Sequence, residues 1–548
     1  MLQYRYPMRK ALFFLFTILS FYAQGQTNIL QPSHFEQTIS NSFLEIGNYY
    51  YFLTFKESGL FGTYSPYSKP LPTEFTLFKI DKYSLAVIDS AIAMGDTKQD
   101  DSVVYTYPIF MRRSPSDGIY LFYQKTLEAD SSVTPVRPYD RIIYCTAFDT
   151  MLTPIIPEKK IWSESEHQPT TNTSLYTATF IGNRIFLGFA GDDSTVVGGN
   201  YYSVLRYAKL DTDANLLNTD TLGDKNPLAR HQVDRWLTRL IPYKNQILFL
   251  ATNLSYNGNA VDAAELYLAD TNMHLTDSFF RPFYTTYPND TVSVYNVMSN
   301  MTALPTGGLI EGYPGINSTY PTRSILFKSY ASTGFEPVKS LHLYAHDSDD
   351  HYHSTSYSIY EVIAYNKSDN LIYFAERTHT FTYVDPCNGN QNYLQITCAD
   401  TNLNLKWTKY IFSDSGYCIL PEQVTPCDGR SGAIIAGEKG KNYSYSVTSF
   451  AYRLDSATTT GITNTDGLTV RDRFRIYPNP ATDVIYADDI FDRLKKITIY
   501  DMQGRLVITR ALHSGKNEIT LGQLPSGIYL INLQTEDGEE HREKFIVR

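Results

Sequence analysis

At 548 residues the chain exceeds what a single hydrophobic core ordinarily supports, so at least two domains are expected. Hydrophobic residues at 43% and charged residues at 19% exclude a disordered chain, and 26 Pro with 31 Gly exclude a collagen-like one. The net charge of −10 lacks the basic excess that holds a phosphate backbone, so nucleic acid is not an expected partner. The 45 Tyr and 30 Phe against 9 Met favour strands, because aromatic rings suit pleated, half-buried surfaces.

Arg9 and Lys10 precede an apolar run, Ala11 to Ala23, that gives way to Gln24, Gly25 and Gln26. The run is shorter than the ~20 apolar residues a membrane span needs, and Ala23 and Gly25 stand at −3 and −1 of a cut before Gln26. Residues 1–25 therefore read as a secretory signal peptide. No later apolar run approaches ~18 residues, so no membrane-spanning helix is expected in the mature chain.

From Gln26 to Asp455 one pattern recurs. A turn pair followed by an apolar β-run appears at Gly47-Asn48, Asp117-Gly118, Gly182-Asn183, Lys244-Asn245, Gly307-Gly308, Asp369-Asn370 and Ser431-Gly432. Such pairs accept φ > 0, so each is expected to form a two-residue hairpin turn. A second alternating run ends in Asp at Asp81, Asp149, Asp211, Asp270, Asp400 and Asp455, while the fifth unit runs instead through Ser329 to Gly334. An Asp-Thr pair at four of these Asp begins a further turn, since Asp bonds its own following backbone. A last apolar run follows. Four strands in each of seven units predict an all-β, seven-bladed β-propeller over 26–455, with the excess over a compact ~40–50-residue repeat carried in loops.

The stretch Asp455 to Gly467 is almost wholly small-polar, acidic or Gly and reads as a linker, 456–471. Residues 472–548 then form short β-runs separated by turn residues, which predicts a small, Ig-like antiparallel β-sandwich. Four ordered blocks carry a resemblance: Tyr477-Pro478-Asn479-Pro480-Ala481, Ile499 to Arg505 with Gly504, Leu524-Pro525-Ser526-Gly527-Ile528-Tyr529, and Lys544 to Arg548. Together they resemble the type A C-terminal sorting domain of the type IX secretion system of Bacteroidetes. That resemblance implies Sec export to the periplasm, passage across the outer membrane by the type IX machinery, removal of the domain by a sortase-like peptidase, and release or attachment at the cell surface.

Linear catalytic signatures are missing: the chain has no His-Glu-x-x-His, Gly-x-Ser-x-Gly, Gly-x-Gly-x-x-Gly, phosphate loop or Cys-x-x-Cys. Five Cys in an exported chain invite disulfides, and local pairing of Cys387 with Cys398 and of Cys418 with Cys427 is the economical expectation, leaving Cys145 as a small buried hydrophobe. In a propeller, His167, His231 with Asp234 and Arg235, and the segment His346 to His353 fall in connections between blades on one face. Of these, His346, Asp347, Asp349, His351 and His353 form a ligand set suited to zinc or a related divalent ion. The functional expectation is a propeller that binds an extracellular glycan or protein; the alternative is a hydrolase or lyase with its site at the propeller channel.

Overall fold

The computed structural model describes residues 26–28, 38–56, 74–84, 86–94, 104–127, 140–163, 174–197, 200–221, 233–255, 263–282, 293–294, 300–316, 323–335, 337–344, 362–378, 393–412, 417–441, 447–454, 469–472, 474–489, 494–512, 517–522, 524–536 and 540–548. Strands dominate, and the helical element among these residues is a single 3-10 turn, Ala331–Thr333. No helix among them is long and apolar enough to cross a membrane. The chain divides into two compact units, Met1–Trp407 with Phe412–Leu468, and Thr408–Ile411 with Thr469–Arg548.

Among the described residues the first unit holds seven antiparallel sheets. Their first strands are Thr38–Ile46, Val104–Arg113, Ser174–Ile181, Val233–Tyr243, Asn300–Ala303, Ile363–Asn366 and Tyr417–Pro426. Sheets 1 to 4 continue through three further strands each, and sheets 5 and 6 have five strands in all. Sheet 7 takes its fourth strand from the other end of the sequence: Gln26–Asn28 pairs antiparallel with Val447–Leu454, Gln26 opposite Leu454.

Neighbouring sheets are tied in ring order by hydrogen bonds at one end. Tyr51 of sheet 1 donates its hydroxyl to the Thr150 carbonyl of sheet 2 at 2.7 Å, and Tyr120 of sheet 2 does the same to Thr212 of sheet 3 at 2.7 Å. Tyr207 reaches the Met273 carbonyl of sheet 4, and Tyr243 the Gly307 carbonyl of sheet 5. Lys328 of sheet 5 donates to the Thr401 carbonyl of sheet 6 at 2.6 Å, and Asn366 of sheet 6 to the Gly432 carbonyl of sheet 7 at 2.6 Å. Arg430 of sheet 7 pairs with Glu45 of sheet 1 at 2.9 Å, which completes the circle. Apolar cores fill the spaces between sheets, as where Leu53 and Leu77 of sheet 1 meet Leu121 and Tyr123 of sheet 2. A closed ring of four- and five-stranded sheets, each burying its neighbour's apolar face, is the architecture of a β-propeller.

The punctuating residues have the conformations their chemistry allows. Gly47, Asp117, Gly182, Lys244, Gly307 and Asn370 all have φ between 54° and 86°, turning the first strand into the second. The expectation of seven two-residue hairpins holds for Gly47-Asn48, Gly182-Asn183 and Lys244-Asn245, which sit between directly paired strand ends. In the other sheets the turn is longer: Ser114 N donates to Gly118 O, Leu304 N to Gly308 O and Cys427 N to Gly432 O. Side chains there close the loop, Ser114 Oγ accepting from Gly118 N at 2.8 Å.

Four of the turns after third strands share one device. Asp149, Asp211, Asp270 and Asp400 each accept two backbone N–H bonds on one carboxylate oxygen, from the residues two and four positions on. The residue between them takes positive φ and is apolar: Leu152, Ala214, Met273 and Leu403. Each is buried, so the turn plugs into the core instead of standing in solvent.

One sequence expectation is corrected by this geometry. Cys418 lies near the start of strand Tyr417–Pro426 and Cys427 just beyond its end. An extended strand rises ~3.3 Å per residue, so their Cα atoms stand roughly 30 Å apart, far beyond the ~7 Å a disulfide spans. Cys398 and Cys145 are buried in their sheets, and Cys387 lies outside the described residues.

The second unit is a two-sheet sandwich. Phe474–Tyr477, Val484–Asp489 and Asn517–Thr520 form one sheet, in that order. Leu506–Ala511, Leu494–Asp501, Gly527–Thr535 and Glu540–Val547 form the other. Ile485, Ile497, Ile519, Ile531, Leu533 and Phe545 are fully buried between them.

Candidate functional site

The ring bonds place every turn from first to second strand, and every turn from third to fourth, on one face. That face is short-turned and latched. Lys159 Nζ, for example, donates to Asp213 O at 2.9 Å across sheets 2 and 3, and Lys209 Nζ to Thr271 O at 2.6 Å across sheets 3 and 4. The opposite strand ends are those joined by the longer connections 57–73, 95–103, 128–139, 164–173, 222–232, 283–292, 345–361 and 379–392.

On the turn face a charged cluster marks the closure of sheet 7 on sheet 1. The Glu45 side chain is fully buried, with Lys82 and Arg430 both on Oε1. Arg430 also donates to the Tyr50 hydroxyl at 3.0 Å. Burial works against the Arg430 charge, but Glu45 outweighs it and holds the guanidinium charged. Beside it, Arg113 pairs with Asp428 at 2.9 Å and with Asp117 at 2.8 Å, joining sheets 7 and 2. These charges are spent on one another across the sheet boundaries, so the cluster registers sheets 1, 2 and 7.

The sequence-predicted polar residues fall elsewhere. Asp234 and Arg235 lie at the start of strand Val233–Tyr243, opposite Leu254 and Asn253, at the end away from the turn face. His167, His231, His346, Asp347, Asp349, His351 and His353 lie outside the described residues. Among the described residues no group of three or more His, Cys, Asp or Glu is placed to hold a metal. The inter-sheet latches were not read from the sequence. The carbonyls that Tyr51 and Tyr120 reach belong to the next unit, so no local pattern points to them.

In the second unit the four sequence blocks come together. Asn479 Oδ1 accepts from Ile546 N at 3.0 Å, while its Nδ2 donates to Lys544 O at 3.2 Å. Ala481 N donates to Ile546 O at 2.7 Å, and Arg548 N to Ala481 O at 2.8 Å, so the first block clasps the fourth. Gly527 stands opposite Val547 and Tyr529 opposite both Phe545 and Asp501, which joins the third block to the fourth and the second. Asp501 repeats the carboxylate turn of the propeller, accepting from Gln503 N and Arg505 N at 2.9 Å each, with Gly504 at φ 78°. Tyr529 donates its hydroxyl to Pro525 O at 2.8 Å and closes the third block's own turn.

Residues 475–548 match the family model of the secretion system C-terminal sorting domain. This unit is a type IX sorting domain, and the chain that carries it is exported to the cell surface or the extracellular space. No curated protein sequence matches the chain. Among solved structures, the extracellular domain of a putative hybrid two-component system from B. thetaiotaomicron aligns at 8% identity and TM-score 0.39, covering 96% of this chain and 57% of that one. The chain thus spans little more than half of that domain's length. The β-propeller domain of the Trilobed protease from Pyrococcus furiosus aligns at 8% identity and TM-score 0.37, covering 77% and 98%. An ulvan lyase of a polysaccharide lyase family aligns at 8% identity and TM-score 0.41, covering 80% and 95%. Likeness of this degree says nothing about activity.

Proposed function

We propose that the protein is a secreted or surface-attached binding protein whose propeller presents a ligand surface for an extracellular glycan or protein. Residues 1–25 serve as the leader to the periplasm. The C-terminal domain then addresses the chain to the type IX machinery and is removed by its sortase. The observation that supports a binding role is the asymmetry of the two propeller faces. One is built of short turns whose polar groups are spent on latching sheets together, such as Tyr51 on Thr150 and Lys328 on Thr401. The other strand ends carry the longer connections, with His167, His231 and the His346 to His353 segment among them. Long connections on a rigid ring are where binding residues are ordinarily carried.

The test uses the mature protein on glycan and protein arrays beside a variant in which 345–361 is replaced by a short Gly/Ser linker. A ligand bound by the parent and lost in the variant, with an unchanged unfolding midpoint, supports the reading. Binding that survives replacement of this and the other long connections, or that is lost on altering the turn face, overturns it. Metal content of the purified protein after dialysis against a weak chelator tests whether His351 and His353 hold an ion.

A further inference from the structure

We infer that the outer face of the four-stranded sheet in the sorting domain, at the end where the four blocks meet, is the surface read by the secretion machinery. This rests on the sorting assignment and says which part of the domain is recognised. Many residues of the four blocks are consumed by folding: Asn479 as a clasp, Gly504 as a turn, Tyr529 and Phe545 as core. Others in or beside the blocks have no such use. Met502, Leu506, Ile528 and Ile546 are 56%, 58%, 48% and 44% exposed, although apolar.

Register joins Leu506, Ile528 and Ile546 in one patch, with Met502 in the adjoining turn. Ile528 is opposite Ile546, Leu530 is opposite both Lys544 and Tyr500, and Tyr500 is opposite Leu506. Alternation places these side chains on the face away from the core, since Tyr529, Ile531 and Phe545 point inward. The patch therefore crosses all four strands. Its rim carries the exposed bases Lys544 and Arg548, while Arg505 is paired with Asp501 at 2.6 Å. Exposed contiguous apolar surface with a charged rim marks a protein docking site, and the rim's sign calls for acidic side chains around an apolar groove on the partner.

The experiment follows surface arrival of the full chain in its native host, with four variants. Ile528→Glu with Ile546→Glu places charge in the patch. Lys544→Glu with Arg548→Glu reverses the rim without touching apolar contacts. Arg542→Glu, on the same strand towards its other end, is the control. Deletion of 469–548 tests the sorting assignment itself. The expected result is that both double variants accumulate in the periplasm with surface arrival reduced about tenfold or more, as when interface anchors are lost, while Arg542→Glu travels normally. Protease resistance of the domain in the purified chain checks folding. If the isoleucine variant proves unfolded, the charge-reversal variant decides. Normal export of a folded charge-reversal variant overturns the proposal. Block by the deletion with free passage of both double variants leaves the sorting assignment standing and the docking face wrong; passage of the deletion itself means that the domain does not sort.

Discussion

Gln423 and Phe43, 380 positions apart, form a reciprocal pair: the Gln423 amide donates to the Phe43 carbonyl at 3.0 Å and its oxygen accepts the Phe43 N–H at 3.0 Å. Both bonds are buried, and they join the first strands of sheets 7 and 1, where a free strand edge would otherwise leave backbone groups unpaired. The same solution recurs where Gln124 accepts from Leu175 N at 2.9 Å.

Gln423→Leu keeps the volume but orphans two buried backbone groups at the ring closure. Each costs about 1–3 kcal/mol, so a loss of roughly 2–6 kcal/mol in unfolding free energy is expected. All three Trp of the chain, Trp162, Trp236 and Trp407, precede the sorting domain, so Trp fluorescence in a urea titration follows the ring alone. An unchanged midpoint would mean that the closure does not depend on this pair.

Acid stability should report the carboxylate turns. In Asp270 the N–H of His274, and in Asp211 and Asp400 the N–H and side-chain bonds from Asn215 and Asn404 acting against desolvation, hold the carboxyls below their ordinary range. A depressed folded-state value contributes stability that is present above the unfolded value of about 3.9 and is lost as pH falls through the folded value. The urea midpoint is therefore expected to hold between about pH 5 and 7 and to fall below about pH 4, less steeply in Asp400→Asn, whose side chain cannot titrate.

The tyrosine latches predict the opposite limb. Burial raises Tyr120, pushing its phenol up to about 12. Stability from this group is complete below the unfolded value of about 10 and is lost as pH rises through the folded value. Tyr120→Phe should cost about 0.5–1.5 kcal/mol at pH 7, a difference that narrows above about pH 10. A difference independent of pH would place its cause in packing.

Cysteine reactivity separates strand geometry from sequence proximity. Burial pushes the Cys145 thiol well above its usual range. Iodoacetamide should modify it only after unfolding. Non-reducing peptide maps should show no link between Cys418 and Cys427, and finding one would mean that strand Tyr417–Pro426 does not run as described.

Local chemistry carries much of this molecule. Gly47, Asp117 and Asn370 announce turns because few residues tolerate φ > 0, and Asp149 or Asp400 announces a second kind because a short carboxylate reaches its own backbone. The first signal, repeated seven times, and the second, found at four turns, sufficed for the antiparallel order of strands within the sheets, though sheets 5 and 6 each hold a fifth strand. The C-terminal blocks were equally legible, since each is a contiguous run of residues. What the chain could not display is which ends meet. Cys418 and Cys427 are neighbours in sequence and distant in space because an extended strand lies between them, whereas Gln423 and Phe43 touch because the ring closes. The same holds at the sorting domain, where Asn479 meets Ile546 and four separated blocks become one patch. Pairing across such distances is set by sheet packing and closure, and no local preference encodes it.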